Sequence, residues 1–280
     1  MIFPQRTLNC GGILLDLETP RIMGIINVTP DSFFAASRAS AVDAALRIAD
    51  RMLAEGADIL DIGGMSSRPG ATIITPEEEC ARVIPVIAAI HQRFSPCILS
   101  IDTVHSTTAA QAVAAGASII NDISAGRIDP QLYATVADLQ VPYILMHMQG
   151  VPGNMQQQPH YENVTLEVLD FFIQEIYQLR QLGVKDIVID PGFGFGKTLD
   201  HNYQLLRELH LLGVPGVPLL AGISRKSMIY KLLDTVPDKA LNGTTALNMV
   251  ALQQGARILR VHDVREAREV VLLWQQLEPA

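Results

Sequence analysis

The most distinctive chemical feature of the sequence is a carboxylate followed at once by a glycine-rich segment. Asp190 ends the apolar run 187–189, which is typical of a buried parallel strand, and segment 191–198 then reads Pro-Gly-Phe-Gly-Phe-Gly-Lys-Thr. Its glycines allow sharp backbone bends, while Phe193 and Phe195 offer flat apolar faces. An acid at the carboxyl end of a strand, beside an adaptable loop, is where an α/β barrel binds its ligand. The structural alternative is that Asp190 only caps the following turn.

Segment 196–198, Gly-Lys-Thr, resembles the end of a phosphate-binding P-loop. That motif requires a glycine five residues before Gly196, and this chain has Pro191 there. The sequence therefore excludes a P-loop nucleotide triphosphatase.

A first group of polar side chains has the composition of a site for a polar heterocycle. Its members follow or end apolar runs and are Asp102, Asn121, Asp190 and Lys226. Because buried carboxylates without partners are costly, two acids and a lysine in one place require a polar ligand. A ring with adjacent amino and N–H donors would satisfy a carboxylate, a ring carbonyl would accept from the lysine, and Met146 or Phe195 would pack on the flat face. The alternative is an internal salt bridge between Lys226 and an acid.

A second group has the composition of an anion site. Its members are Asn27, Ser67, Arg68, Arg260 and His262. Guanidinium, imidazole and amide groups donate hydrogen bonds to phosphate oxygens, and Asn27 also offers a neutral oxygen to Mg²⁺. The alternative is that Arg68 and Arg260 are solvated or paired with the surplus acids. Together the two groups predict a substrate with a flat heterocycle and an anionic part, such as a phosphate or pyrophosphate ester.

The elements that must position these residues alternate regularly along the chain. Short apolar runs predict strands at 22–28, 58–62, 97–101, 118–123, 143–147, 186–189, 218–223 and 258–261. Helical periodicity between them predicts helices that include 41–55, 77–94, 107–115 and 164–182. Several helices end on a glycine just before the next strand, as at Gly56, Gly116, Gly183 and Gly255. This rhythm predicts an α/β fold, a single (β/α)8 TIM barrel, and its competitor is a doubly wound open sheet.

A short hairpin is predicted ahead of the barrel. Segment 7–17 has two apolar-polar stretches around the turn Cys10-Gly11-Gly12, and such a hairpin would close the bottom of the barrel. No low-complexity stretch or linker divides the chain, so we expect residues 1–280 to form a single barrel domain, with 1–20 as the hairpin extension and 21–277 as the barrel. Because the first and last strands of a closed barrel are neighbours, both polar groups are expected at one mouth.

Composition narrows the partners and the location. The chain has 280 residues, a net charge of −8 and a pI near 5.3, which argues against binding nucleic acid or a membrane surface. Its three cysteines have no metal-ligand spacing and are expected to be reduced. No signal segment is recognisable, and no run approaches the roughly 20 apolar residues of a membrane span. These features predict a soluble, cytoplasmic protein.

An ordered set of motifs resembles one family along nearly the whole chain, from Met23 to about Val271. The motifs are NVTPDSF at 27–33, DIGG at 61–64, SSRPG at 66–70, SIDT at 100–103, INDI at 120–123, MHMQG at 146–150, DPGFGFGK at 190–197, SRKS at 224–227 and RVHD at 260–263. This set is similar to that of dihydropteroate synthase. The resemblance implies condensation of 6-hydroxymethyl-7,8-dihydropterin diphosphate with 4-aminobenzoate, giving 7,8-dihydropteroate and pyrophosphate in folate biosynthesis.

The resemblance also implies roles for individual residues. The pterin would be held by Asp102, Asn121, Asp190 and Lys226, with Met146 and Phe195 against its ring. The diphosphate would be held by Asn27, Ser67, Arg68, Arg260 and His262, with Asn27 also binding the cofactor Mg²⁺. The 4-aminobenzoate would be bordered by Phe33, Pro69, Phe195 and Ser227. Catalysis would involve Asp102, Lys226, Arg260 and His262, and would begin with Mg²⁺-assisted departure of pyrophosphate, without a side-chain nucleophile.

Two departures from the family pattern fall on the loops after the first two strands. Met65 stands where the family often has glutamate, and Phe34-Ala35-Ala36-Ser37 replaces a common Ser-Asp-Gly-Gly. The first alternative function is a pterin-binding methyltransferase domain, which shares the barrel but has no use for the anion site. The second is a non-catalytic pterin-binding paralogue that has lost turnover.

The resemblance further implies a homodimer formed through outer helices. An apolar face for this contact would include Met249, Val250, Leu252, Leu272 and Leu273. The alternative is that all of these side chains pack on the barrel. Because sulfonamides mimic 4-aminobenzoate in this family, inhibition by them is also expected.

Overall fold

A computed structural model describes residues 5–29, 38–66, 70–150, 153, 155, 159–213 and 215–277. The strands in these ranges are β1 (Thr7–Cys10), β2 (Ile13–Asp16), β3 (Arg21–Asn27), β4 (Ile59–Gly63), β5 (Ile98–Asp102), β6 (Ile119–Asp122), β7 (Tyr143–Met146), β8 (Ile187–Asp190), β9 (Leu219–Ala221) and β10 (Ala256–Val261). Strands β1 and β2 pair as an antiparallel hairpin. The eight later strands close into a parallel barrel in the order β10-β3-β4-β5-β6-β7-β8-β9. The predicted TIM barrel with an N-terminal hairpin is confirmed.

Helices follow the barrel strands. In the described residues they are α1 (Arg38–Ala54), α2 (Pro76–Phe94), α3 (Ser106–Ala114), α4 (Leu132–Leu139), α5 (Val164–Gln181), α6 (Leu199–Arg207), α7 (Ser227–Tyr230), α8 (Leu241–Gln253) and α9 (Val264–Leu277). Local sequence explains several helix starts, because the side chains of Thr75, Asn163 and Thr198 accept hydrogen bonds from the first turns of α2, α5 and α6. Within the described ranges, every helix is too short or too polar to cross a membrane.

Predicted strand boundaries agree with the observed ones to within about two residues, and the seventh barrel strand differs most. It was predicted at 218–223 but pairs only over Leu219–Ala221. The chain then turns through Arg225, whose φ of 56° lies in the left-handed region. A strand cannot continue through such a conformation, and Lys226 then caps the start of α7. Because Arg225 lies beyond the predicted end at 223, it does not explain why pairing already stops at Ala221.

The hairpin closes the lower end of the barrel, as predicted. Every barrel strand contributes one buried apolar side chain to this lower layer: Met23, Ile59, Ile98, Ile119, Ile144, Val188, Leu220 and Ile258. Leu8, Cys10, Leu15 and Leu17 of the hairpin segment pack in the same cluster. The backbone N–H of Asn9 also donates to the Asp186 carboxylate at 3.0 Å. Apolar packing and a charge-assisted hydrogen bond therefore fix the hairpin beneath the barrel.

Above this apolar layer the barrel interior becomes polar. Successive side chains of a strand alternate between faces, so the residues two positions beyond the lower layer also point inward. These residues are Ile25, Asp61, Ser100, Asn121, Met146, Asp190, Gly222 and Arg260. The intervening residues face the helices and form the main core. The strands thus bring most of their inward polar side chains to one end of the barrel.

The substitution Leu8→Ala tests the hairpin as the floor of the barrel. Leu8 is 1% exposed, so its truncation leaves a cavity among side chains of several strands. We expect the free energy of unfolding to fall by about 2–5 kcal/mol, measured by urea denaturation followed by circular dichroism. Leu14→Ala is the matched control, because Leu14 lies in the same hairpin and is 72% exposed. Equal losses in the two variants would contradict this role.

Candidate active site

The ends of the first three barrel strands form one side of the mouth. Asn27 is the register partner of Gly63, and Gly63 is the register partner of Asp102. A Cβ atom on Gly63 would lie 3.7 Å from both Asn27 Oδ1 and Asp102 Oδ2. Because Gly63 has no side chain, a space remains at this point. Asn27 of the predicted anion group and Asp102 of the predicted heterocycle group both face it.

Arg260 joins a carboxylate at the mouth, Asp102, to one buried beneath it, Asp61. Its Nε donates to Asp61 Oδ2 at 2.7 Å, and its Nη2 lies 2.7 Å from the same oxygen. Nη2 also donates to Asp102 Oδ2 at 2.6 Å, and Asn121 Nδ2 donates to Asp61 Oδ2 at 3.1 Å. The arginine of the anion group thus contacts the heterocycle group directly, and the alternative in which it pairs with acids is observed. Its role toward an anion stays a prediction.

These charges alter the proton affinities of one another. Burial raises the pKa of Asp102 to about 7, while the Arg260 charge opposes this rise and the Asp61 charge adds to it. Burial disfavours the charged form of Arg260, but the carboxylates of Asp61 and Asp102 outweigh that effect and raise its pKa. Arg260 therefore stays charged, whereas Asp102 exchanges a proton near neutral pH.

Lys226 lies beside the glycine-rich loop. Its Nζ donates to the carbonyl of Phe193 and lies 4.7 Å from the centroid of the Phe195 ring. Burial lowers the pKa of Lys226 to about 8, while the charge of Asp190 opposes this shift. Among the described residues, no carboxylate is close enough to Lys226 to form an ion pair. The predicted alternative, an internal salt bridge, is therefore not found in this part of the chain.

Asp190 caps a turn and also faces the mouth. Its Oδ1 accepts from the N–H of Gly192 at 2.8 Å, which is the capping role considered as the alternative. A Cβ on Gly222 would lie 3.6 Å from Asp190 Oδ2 and 3.8 Å from Lys226 Nζ. One carboxylate oxygen thus orders the loop, and the other shares an open space with the lysine. Its role toward a ligand stays a prediction.

Lys197 holds the glycine-rich loop against the end of β7. Its buried Nζ lies 3.1 Å from the carbonyl oxygen of Gly192, 3.0 Å from that of Phe195 and 3.0 Å from Nδ1 of His147. Burial lowers the pKa of Lys197 to about 7 and lowers that of His147 well below its usual range, so the imidazole is neutral and accepts from the lysine. Gly192 has a φ of 67°, and a Cβ there would collide with the His147 carbonyl.

The loop after β9 is tied to the end of β10. The N–H of His262 donates to Ser224 Oγ at 3.2 Å, and the same oxygen lies 3.1 Å from His262 Nδ1. The Arg225 guanidinium forms two hydrogen bonds to the Asp263 carboxylate, at 3.0 and 2.6 Å. These contacts fix the relation between His262 and the segment that carries Lys226.

The remaining predicted residues are distributed as follows. Met146 is buried in an apolar cluster with Met148, and both Phe195 and Met65 pack against this cluster. Ser227 is the first residue of α7. The predicted residues Phe33, Ser67, Arg68 and Pro69, and the departure at 34–37, lie outside the described residues. Met65 therefore fills with apolar packing the position where the family often has an acid.

Two residues that sequence reasoning did not assign to the site are central to it. Asp61 binds Arg260 and Asn121, and Lys197 anchors the glycine-rich loop. The sequence does contain an indication for Asp61. It lies two residues after Ile59 on the same strand, so both side chains point into the barrel. Lys197 was discarded together with the P-loop interpretation. Three of its partners are backbone carbonyls, which any residue type supplies, so no side-chain pattern reveals the contact.

Comparison with protein families agrees with this geometry. The family model described as pterin binding enzyme matches residues 23–262, from β3 to just beyond the end of β10. The fold, the mouth and this match define a pterin-binding enzyme. Among curated relatives, the dihydropteroate synthase of Haemophilus influenzae is 44% identical over 263 residues, covering 93% of this chain and 95% of that protein.

Solved structures agree with the sequence comparison. A Yersinia pestis dihydropteroate synthase in a sulfonamide drug complex has a TM-score of 0.91 and 43% identity, covering 97% of this chain and 98% of that one. A Xanthomonas albilineans dihydropteroate synthase with 4-aminobenzoic acid has a TM-score of 0.91 and 44% identity, covering 98% and 99%. The enzyme from that organism in complex with 7,8-dihydropteroate has a TM-score of 0.87 and 40% identity, covering 99% and 100%. The chain belongs to the dihydropteroate synthases, a family of transferases.

Replacing Lys197 tests its role as the anchor of the glycine-rich loop. In Lys197→Met, three carbonyl oxygens and the His147 imidazole lose their donor. We expect the free energy of unfolding to fall by about 3 kcal/mol and amide hydrogen exchange in 192–197 to accelerate. Denaturant titration and hydrogen-exchange mass spectrometry measure these effects. Lys185→Met, at an exposed position ahead of β8, is the control, and unchanged exchange in 192–197 of Lys197→Met would reject the anchoring role.

Proposed function

We propose that the chain condenses 6-hydroxymethyl-7,8-dihydropterin diphosphate with 4-aminobenzoate, giving 7,8-dihydropteroate and pyrophosphate. One observation carries the proposal: inward carboxylates, a lysine and a guanidinium from opposite ends of the chain converge on one mouth. The similarity to dihydropteroate synthases bound to 4-aminobenzoic acid and to 7,8-dihydropteroate supports the same two substrates here.

The pterin would occupy the space between the carboxylates and Lys226. Asp190 Oδ2 and Asp102 would accept from the amino and N–H groups of the ring, Asn121 would add an amide contact, and Lys226 would donate to the ring carbonyl. Met146 and Phe195 would pack on the ring, since both belong to the apolar cluster that borders these polar groups. In this way the apolar and polar halves of the mouth would match the face and the edge of a heterocycle.

The diphosphate would extend toward Asn27 and His262. Within the described residues, Arg260 Nη1 has no hydrogen-bond acceptor, so its N–H groups are available to an anion. His262 would add an imidazole contact, and its ring is oriented by Ser224, whose Oγ lies 3.1 Å from Nδ1. Ser67 and Arg68, which lie outside the described residues, would complete the diphosphate contacts according to the family resemblance. Phe33, Pro69, Phe195 and Ser227 would border the 4-aminobenzoate.

Mg²⁺ would bind in this mouth largely through oxygen atoms of the substrate. Mg²⁺ usually binds one or two protein oxygens together with water and phosphate oxygens. The described residues contain no cluster of three or more His, Cys, Asp or Glu side chains arranged for a metal, whereas Asn27 Oδ1 faces the same space above Gly63 as Asp102. Asn27 would therefore be its protein ligand. When bound, the ion would neutralise charge on the diphosphate oxygens.

Ionisation would come first in the reaction. The bond between the pterin methylene carbon and the diphosphate oxygen breaks, and its electron pair leaves with pyrophosphate. Arg260 and His262 would bind the departing oxygens, while Asp102 would stabilise the cation through the ring. The amine of 4-aminobenzoate then forms the C–N bond and releases a proton to solvent. His147 has no part in these steps, because it accepts a hydrogen bond from Lys197 behind the loop.

We also propose a cytoplasmic homodimer built from one domain per chain. The described cysteines are free thiols, a form that a reducing compartment maintains. Of the five predicted interface residues, Leu252 is buried in the core, Met249 and Val250 pack partly against it, and Leu272 and Leu273 are 54% and 62% exposed. The two exposed leucines of α9 are therefore the better candidates for a contact between subunits.

A turnover assay separates the synthase from its alternatives. We expect the chain to release pyrophosphate and form dihydropteroate when given both substrates and Mg²⁺. Asp190→Asn should weaken binding of the pterin by about 1.5–3 kcal/mol, since a charge-assisted hydrogen bond is lost. Asp186→Asn is the control, because Asp186 binds the hairpin at the other end of β8. Pterin binding without pyrophosphate release would identify the non-catalytic paralogue, and the methyltransferase alternative would bind a plain pterin as well as the diphosphate ester.

The pKa values of Asp102 and Lys226 predict a narrow pH range for pterin binding. Below about pH 7, Asp102 gains a proton and loses its ability to accept from ring N–H groups, so affinity should fall by about tenfold per pH unit. Above about pH 8, Lys226 loses the proton that it donates to the ring carbonyl, and affinity should fall again. Calorimetric titrations from pH 5 to 9, on the order of ten points, measure the profile. Loss of the acidic limb in Asp102→Asn is expected, and its persistence there would assign the limb to another group.

A further inference from the structure

Asp61 is a buried carboxylate that the proposed reaction does not use. It is fully buried and faces the barrel interior beneath the mouth, two residues above the apolar layer. Its side chain has no exposed surface at the mouth, and Arg260 and Asn121 lie against one of its oxygens. Burying a carboxylate costs free energy of desolvation, so its presence here indicates a role other than contact with a substrate.

Within the described residues, all hydrogen bonds to the Asp61 side chain are accepted by one of its two oxygens. Oδ2 accepts from Arg260 Nε at 2.7 Å and from Asn121 Nδ2 at 3.1 Å, and Arg260 Nη2 lies 2.7 Å away. Oδ1 has no partner within the described residues. Asp61 thus holds the guanidinium by its Nε–Nη2 edge and leaves Nη1 directed elsewhere.

The two carboxylates that bind Arg260 differ in their accessibility. The side chain of Asp102 is 14% exposed at the mouth, whereas that of Asp61 is completely buried. A pterin that donates to Asp102 competes with Arg260 Nη2 for Asp102 Oδ2, which accepts from that nitrogen at 2.6 Å. Once this bond is exchanged, Asp61 is the carboxylate that still neutralises the buried arginine.

We propose that Asp61 is a positioning residue, which keeps Arg260 in the wall of the mouth while Asp102 exchanges its bond with Arg260 for bonds to the pterin. The inference rests on the proposed function. Arg260 then stays charged and oriented, and its Nη1 group remains available to the departing diphosphate. Without Asp61, the arginine would keep its bond to Asp102 and compete with the substrate.

A double-mutant cycle tests whether Asp61 acts through Arg260. We expect Asp61→Asn to lower kcat/KM by about tenfold or more, with much of the loss in kcat, because the arginine would interact most strongly with the leaving group in the transition state. In an Arg260→Met background, Asp61→Asn should change kcat/KM by about twofold or less, since the group that it positions is gone. A purely structural role of Asp61 would give similar factors in both backgrounds.

Asp58→Asn is the matched control for this cycle. Asp58 also pairs with arginines, Arg21 and Arg268, but at the opposite end of β4. Its substitution should leave kcat/KM nearly unchanged in both backgrounds, even if it lowers the unfolding temperature. Equal behaviour of the Asp58 and Asp61 variants would overturn the proposal.

Two further measurements test the role of Asp61 if the cycle on kcat/KM cannot be completed. If Asp61→Asn does not fold, Asp61→Glu retains the charge but shifts the carboxylate by one methylene, and wild-type kcat in that variant would overturn the positioning role. If the wild-type chain binds the pterin diphosphate without turnover, the proposed function fails. The same cycle is then measured on the Kd for that ester, where additive effects would overturn the proposal and non-additive effects would support it.

Discussion

Arg260 lies between the carboxylates of Asp61 and Asp102, and this contact depends on closure of the barrel. The three residues come from the last, second and third barrel strands, and their hydrogen bonds join positions 199 and 158 residues apart. Closure brings these charges together, and their pairing in turn makes a polar barrel interior tolerable, because an unpaired buried charge costs several kcal/mol. The mouth is therefore already organised before any ligand arrives.

The charges around the mouth nearly balance. The acids are Asp61, Asp102 and Asp190, and the basic groups are Arg260, Lys226 and, behind the glycine-rich loop, Lys197, although the whole chain has a net charge of −8. An anionic ester thus gains little from net local charge and depends on directed hydrogen bonds. Space is provided by missing side chains, since Gly63 and Gly222 lie where a Cβ would approach the polar groups. Specificity at this mouth is therefore set by geometry more than by the overall field.

The alternation of apolar runs and helical periodicity was sufficient to predict the barrel, and the strand-end rule was sufficient to locate its mouth. The early end of β9 was not predictable from apolar character, because Ile223 is apolar and fully buried although it lies outside the paired strand. The partners of Arg260 were left open for a different reason. Whether Arg260 pairs with an acid or binds an anion depends on distances across the closed barrel. Spacing along the chain does not give these distances. Lys197 was missed because its acceptors include backbone oxygens.

The hairpin beneath the barrel has a consequence for how the chain reaches its native state. Leu8 and Leu15 belong to one apolar cluster with a side chain from every barrel strand, and the last of these, Ile258, lies about 250 residues downstream. During synthesis the hairpin emerges first but has no complete surface to cover until the final strand is in place. Its apolar side chains must therefore remain exposed through most of translation, which makes docking of the N-terminal segment a late step and the open barrel end a site for chaperone binding or misassembly.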